Sequence, residues 1–155
     1  MTVPSRSNHP APDSGAMMLP ILAITVSTEF GIIASRHRAR QIAEFCGFGL
    51  QDQARIATAV SELAREIFSD GWAGKVEFSM SDAAVPQLLV IDIAGPGTGP
   101  FDLSAAKLMD RFEITADDDG TRILLTKALP GTQEALTQAA IELAVSQFAL
   151  LPSNV

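Results

Sequence analysis

The stretch "IATAVSELAREIF", residues 56–68, decides the fold of this chain. It carries two carboxylates, Glu62 and Glu66, one helical turn apart, and like charges at that spacing repel by about 0.2–0.5 kcal/mol. The pair is therefore either a solvated face, with Arg55 and Arg65 nearby, or an acidic site. The apolar residues of the stretch recur at i, i+4, i+7 and i+11, which predicts an amphipathic helix with one buried side: Ile56, Val60, Leu63 and Ile67.

Composition limits the classes of protein to which the chain can belong. Its 155 residues are 47% hydrophobic, which is enough for one domain with a single core. The net charge of −7 argues against a nucleic-acid or anionic-membrane surface. The apolar run of residues 16–26 is too short to span a bilayer and lacks the flanks of a signal peptide. We therefore expect a cytoplasmic protein. Its one cysteine, Cys46, lies in the apolar stretch "AEFCGF" and is predicted to be a buried, inert thiol.

The order of predicted elements indicates the fold class. Residues 1–19 are interpreted as a disordered leader, 20–129 as the folded domain and 130–155 as a C-terminal helix. Strand and helix patterns within the domain predict an α+β two-layer sandwich, a mixed β-sheet covered on one face by helices. The predicted elements are a strand at 21–28, helices at 29–48 and 50–68, strands at 75–80 and 86–95, a short helix at 101–112 capped by Asp102 or Ser104, and a hairpin of 112–117 with 121–129.

Several of these segments together resemble one family. The resemblance covers about residues 21–129, and "IATAVSELAR" is its most specific part. The chain resembles the serine kinases and anti-sigma factors of bacterial stress-response partner-switching modules, the RsbT/RsbW type. These belong to the histidine-kinase-like (GHKL) ATPase superfamily, so the resemblance implies that fold and a role in signal transduction. The supporting motifs are "GPG" at 95–97, "KLMDRF" at 107–112 and "DGT" at 119–121.

The resemblance assigns roles to the two glutamates. In the family, the second helix carries a glutamate that acts as general base toward a substrate serine, and Glu62 matches that position. Four residues later the family has an asparagine that binds magnesium, and Glu66 stands there. A glutamate can ligate Mg²⁺, but it adds negative charge beside the phosphates. Glu66 is thus the candidate metal and cofactor ligand, and the replacement weakens the case for a working kinase.

The motif that recognises adenine in the family is altered. Its pattern is Asp-x-Gly-x-Gly, whereas this chain has one residue too many between Asp92 and Gly95, with Gly97 following. If the glycines are aligned, Ile93 takes the place of the aspartate and cannot accept a hydrogen bond. If Asp92 is aligned instead, its side chain turns to the opposite face of the strand, unless a bulge corrects it.

The phosphate-binding part of the family pattern is largely missing. The glycine-rich lid has no counterpart, because residues 98–100 lead straight into Phe101. Gly120 and Thr121 alone match the last nucleotide-contacting motif. We therefore predict no cofactor, or ATP with Mg²⁺ bound at millimolar affinity or worse. We also predict that Glu66→Asn creates no kinase activity and leaves stability unchanged or slightly raised, because it relieves repulsion from Glu62.

These observations favour a regulatory signalling module that binds another protein, by partner switching or by gating a signalling domain. The expected partner is an anti-sigma antagonist, a sigma factor or a signalling domain, with no nucleic acid and no membrane. The C-terminal helix carries a broad apolar stripe, which fits packing on the sheet, a partner, or a homodimer. The alternatives are an active ATP-dependent protein-serine kinase or anti-sigma factor with Glu62 as base, and a small-molecule sensor.

Overall fold

The computed structural model describes residues 18–68, 73–81, 86–131 and 134–150. Residues 1–17 of the predicted leader lie outside this part, and the last two predicted leader residues already belong to the first strand. Most predicted elements are present, although the last helix begins later than expected. The elements are β1 Met18–Val26, α1 Glu29–Phe45, α2 Leu50–Ile67, β2 Gly74–Ser81, β3 Leu88–Gly95, a 3-10 helix Ser104–Leu108, β4 Arg111–Asp117, β5 Gly120–Ala128 and α3 Gln138–Leu150.

The five strands form one sheet in the order β1-β2-β3-β5-β4. All four strand pairs are antiparallel, so the expectation of a mixed sheet is wrong in that detail. The reason lies in the connection from β1 to β2, which contains two helices. α1 carries the chain back along the sheet and α2 returns it, so β2 begins beside the end of β1 and runs antiparallel to it. One crossover helix would have made a parallel pair.

The helices cover one face of the sheet, which confirms the two-layer α+β sandwich. The predicted apolar stripe of α2 is confirmed, because all four of its residues are fully buried. Alternate residues of the central strands form the other side of the core, as expected for a sheet with one covered face. These inward-facing residues are fully buried: Leu89, Ile91 and Ile93 of β3, and Ile123 and Leu125 of β5.

The C-terminal helix belongs to the same core. α3 packs against β1 and α1, and buries Ile141 and Phe148. Arg38 of α1 donates a hydrogen bond to the carbonyl oxygen of Phe148 at 3.0 Å. The buried amide of Gln87 holds the segment before α3, with hydrogen bonds to both the N–H and the carbonyl of Leu136. The packing of α3 against β1 and α1 therefore explains much of the apolar stripe that was predicted on the C-terminal helix. No helix in the described part of the chain is long and apolar enough to span a membrane.

Candidate functional site

Glu62 lies on a charged, solvated face of α2. Its side chain is 56% exposed and pairs with Arg65, with 3.5 Å between Oε2 and Nη1. Arg65 also binds the carboxylate of Glu29 at the start of α1, so it joins the two helices. The expectation that Arg65 lies near the glutamates is therefore confirmed. Arg55, by contrast, pairs with Asp52.

Glu66 lies one turn further along α2 and has a different environment. Its Oε1 atom accepts a hydrogen bond from the backbone N–H of Asp102 at 2.9 Å. Asp102 itself accepts hydrogen bonds from the hydroxyl and the backbone N–H of Ser104, and these lower the pKa of its carboxyl. These bonds form a turn ahead of the 3-10 helix, but the N-cap residue of that helix is Leu103 and it has no side-chain cap, so the prediction that Asp102 or Ser104 caps the helix is wrong. The carboxylate of Glu66 binds the segment that, in the resembled family, follows the phosphate-binding lid.

The last residue of β3, Gly95, and Gly97 just after it are required by close packing on the end of α2. The backbone N–H of Gly97 donates to the carbonyl oxygen of Ile67 at 3.0 Å. A Cβ atom at Gly97 would lie 2.3 Å from that oxygen, and one at Gly95 would lie 2.6 Å from Cγ2 of Ile67. No side chain fits at these distances, so both glycines have a structural reason that involves no nucleotide.

The turn between β4 and β5 packs against Gly95 and Gly97. Gly120 adopts φ +136°, a conformation that favours glycine, and a Cβ atom there would lie 2.2 Å from the carbonyl oxygen of Gly95. The Thr121 hydroxyl, which is buried, donates to the carbonyl oxygen of Gly97 at 2.8 Å. The structure therefore brings Gly95, Gly97, Gly120 and Thr121 together around the end of α2, and packing or hydrogen bonds within the chain account for each of them.

Asp92 lies on the opposite side of the sheet from this group. β3 pairs continuously with both neighbours through residues 92–94, so no bulge turns Asp92 inward. The fully buried Ile93 faces the helices instead. The structure thus does not bring Asp92 together with Glu62 and Glu66. This separation follows from the period of two in a strand, which the sequence already offered as one of two alternatives.

The environment of Asp92 is partly apolar. Its side chain is 20% exposed, and Oδ2 lies 3.2 Å from Nη1 of Arg122. The Oδ1 atom is buried and has no hydrogen-bond partner among the described residues. Burial raises the pKa of this carboxyl, and the nearby Arg122 offsets part of the increase. Asp92 borders a hollow of about 420 Å³ whose lining is mainly apolar and includes Met18, Val90 and Leu124.

The carboxylate of Glu66 is already engaged within the chain. Within the described residues, no group of three or more His, Cys, Asp or Glu side chains is arranged to hold a metal ion. One carboxylate oxygen of Glu66 already accepts an N–H, and that N–H, from Asp102, is the kind of donor a phosphate needs. Sequence reasoning missed this bond, because it joins residues far apart in the chain and no local pattern signals it.

Comparison with known proteins identifies a relative. No protein-family model matches the sequence. The chain is 32% identical over 115 residues to the serine/threonine-protein kinase RsbT of Bacillus subtilis (strain 168). The matched region covers 74% of this chain and 80% of that relative.

Proposed function

The chain belongs to the family of the serine/threonine-protein kinase RsbT, and we propose that it is a regulatory module that acts by binding another protein rather than by transferring phosphate. The observation that carries this proposal is the hydrogen bond from the Asp102 backbone to the Glu66 carboxylate. Glu66 occupies the position at which the resembled kinases have a magnesium-binding asparagine. In this chain its carboxylate accepts a hydrogen bond from the backbone of Asp102.

The charge of Glu66 argues against phosphate transfer. Phosphoryl transfer depends on positioning the phosphates and on neutralising their charge. A carboxylate at this position adds negative charge. It also accepts the hydrogen bond of the Asp102 N–H, which could otherwise donate to a phosphate oxygen. Glu62, with its side chain 56% exposed, adds a second carboxylate one turn away.

The adenine side of the site supports the same proposal. Ile93 is fully buried on the face toward the helices and offers no hydrogen-bond acceptor. Asp92 faces the other side of the sheet, where it pairs with Arg122. An unsatisfied buried donor on a nucleotide base costs about 1–3 kcal/mol. We therefore expect ATP with Mg²⁺ to bind at millimolar affinity or worse.

The partner we propose is a protein of a partner-switching system: an anti-sigma antagonist, a sigma factor, or a signalling domain that the module gates. The family membership supports a protein partner, and the net charge of −7 disfavours nucleic acid as the ligand. We propose the cytoplasm as the site of action.

A second candidate function is an active protein-serine kinase. Its support is the activity named for the relative and the exposure of Glu62, whose carboxylate is accessible to a substrate hydroxyl. In that case Glu62 would be the general base, a role that contributes about 10²–10⁴-fold to rate.

One experiment separates the two functions. Wild type, Glu62→Ala and Glu44→Ala, a matched control at an exposed glutamate of α1, are tested for phosphate transfer from ATP to candidate partner proteins. Calorimetric titration with a non-hydrolysable ATP analogue and Mg²⁺ gives the affinity. We expect no transfer and millimolar or weaker binding. Transfer by wild type and Glu44→Ala that is lost in Glu62→Ala would establish the kinase instead.

A further inference from the structure

β4 is the exposed edge of the sheet. In the described part of the chain it pairs only with β5, and all seven of its residues, Arg111–Asp117, are exposed. No other strand of the described residues lies along its outer edge, and the exposed edge of a sheet is a template for another strand. Phe112 and Ile114 lie opposite the buried Leu125 and Ile123, on the face toward the helices, and yet are 37% and 40% exposed.

We propose that β4 is a self-association strand, through which two copies of the chain join antiparallel into a continuous sheet. The two-fold axis of such a dimer is perpendicular to the sheet and passes midway between Ile114 of one copy and Ile114 of the other. This assembly goes beyond the proposed function and does not depend on it. An isologous contact of this kind requires that the strand be complementary to itself when reversed.

The sequence of β4, "RFEITAD", has that property. In the register centred on Ile114, Arg111 lies opposite Asp117 of the second copy, and this ion pair occurs twice. On the face toward the helices, Phe112 lies opposite Ala116 of the second copy, so a large side chain meets a small one. Ile114 lies opposite its own counterpart. Opposite charges and apolar pairs directly across an antiparallel ladder are stabilising.

The neighbouring registers are disfavoured. Centring the pair on Glu113 places two like charges directly opposite each other, and centring it on Thr115 places Glu113 opposite Asp117 twice. Sliding one copy along the other by a single residue would place side chains that face the helices opposite side chains that face away from them. Centring on Phe112 pairs only three residues of the strand. The Ile114 register alone uses all seven residues without a like-charge pair.

The expected dimer is weak. A contact between two seven-residue strands buries less than the roughly 1,600 Å² of a standard stable interface. Each copy also carries a net charge of −7, which opposes association at low salt. We therefore expect a dissociation constant in the micromolar to submillimolar range, with self-association visible only at high protein concentration.

Charge reversal at the two ends of β4 tests the proposal. Sedimentation equilibrium is measured on the 155-residue wild type, Arg111→Glu, Asp117→Lys and an equimolar mixture of the two variants. Each variant alone places like charges opposite each other, so we expect self-association to weaken about tenfold or more. In the mixture every end pair is again of opposite charge, and we expect association to return to at least the wild-type level.

The controls address folding and other interfaces. Asp117 accepts a turn hydrogen bond from the N–H of Asp119, so the thermal unfolding of each variant is measured first. Arg111→Glu leaves that bond intact and keeps the test valid if Asp117→Lys unfolds. Glu44→Lys is a matched charge reversal on α1, away from β4, and should leave β4 association intact. A wild type that stays monomeric up to about 1 mM, or a dimer that Arg111→Glu does not weaken, would overturn the proposal.

Discussion

The Oε1 atom of Glu66 lies 2.9 Å from the backbone nitrogen of Asp102 and accepts its hydrogen bond. This contact joins the last turn of α2 to the segment that follows the "GPG" turn. It also changes the expected effect of the neighbouring Glu62 and Glu66 on the stability of the fold. Arg65 compensates the charge of Glu62, and Glu66 has a partner of its own. Repulsion between the carboxylates is therefore not the dominant effect at this position.

Glu66→Asn should destabilise the protein by about 0.5–1.5 kcal/mol, because asparagine is one methylene shorter and loses the hydrogen bond to Asp102. This reverses the expectation from sequence that the substitution is neutral or mildly stabilising. The measurement is the free energy of unfolding from urea denaturation.

Glu66→Gln is the matched control for that substitution. Glutamine keeps the side-chain length and a carbonyl oxygen that can accept from the Asp102 N–H, so its stability should lie closer to wild type. Equal stability of Glu66→Asn and wild type would show that the contact contributes nothing to folding. Neither variant should transfer phosphate.

The sequence predicts those parts of the fold whose cause is local. The bounds of α2 follow from the spacing of Ile56, Val60 and Leu63, and the β4–β5 hairpin follows from two strand patterns flanking "DDDG". Predicting that Asp92 and Ile93 face opposite sides of the sheet needs only the period of a strand. The contact of Glu66 with Asp102 has no such local cause, because it depends on where the chain returns after β3.

Gly97→Ala should destabilise the protein by about 2–3 kcal/mol, whether or not nucleotide is present. The added Cβ would lie 2.3 Å from the carbonyl oxygen of Ile67, which is a backbone atom and cannot move aside without disturbing α2. The shift would also strain the N–H of Gly97, which donates to that oxygen. Thermal and urea unfolding measure the loss.

Gly131→Ala serves as the control for Gly97→Ala, since nothing lies within 4 Å of a Cβ built at that position. We expect a change of at most about 0.5 kcal/mol. If Gly97→Ala is as stable as Gly131→Ala, the close packing of the "GPG" turn on α2 does not explain the glycine, and a ligand would have to.

Cys46 should be unreactive in the native protein. It is fully buried at the end of α1, and burial raises the pKa of its thiol to about 12. Only the thiolate is a good nucleophile, so alkylation at pH 8 should require unfolding. Labelling with a maleimide, followed by mass spectrometry, should show negligible reaction in buffer and complete reaction in concentrated urea. Rapid labelling of the folded protein would contradict the buried, inert thiol predicted from the sequence.

Asp92→Asn should stabilise the protein near neutral pH. Burial raises the pKa of Asp92 in the folded state, so the folded protein binds this proton more tightly than the unfolded chain does. The resulting stabilisation is fully present below the unfolded value, near pH 4, and is lost as the pH rises through the folded pKa. Above that range the wild type holds a carboxylate whose Oδ1 atom is buried without a partner among the residues that the structure describes, whereas an amide there is neutral.

The expected gain of Asp92→Asn is about 1 kcal/mol at pH 7, since the amide removes the cost of burying a charge, and the lost attraction to Arg122 offsets part of that gain. Urea unfolding at pH 3.5 and pH 7 measures the difference, which should vanish or reverse at the lower pH. Asp118→Asn removes the same charge from an exposed residue of the hairpin turn and should change stability by less than about 0.5 kcal/mol at pH 7. A loss of stability in Asp92→Asn at pH 7 would mean that the ion pair with Arg122 outweighs the burial of the charge. In that case Asp92 would stabilise the fold through its ion pair, on the face of the sheet away from the helices.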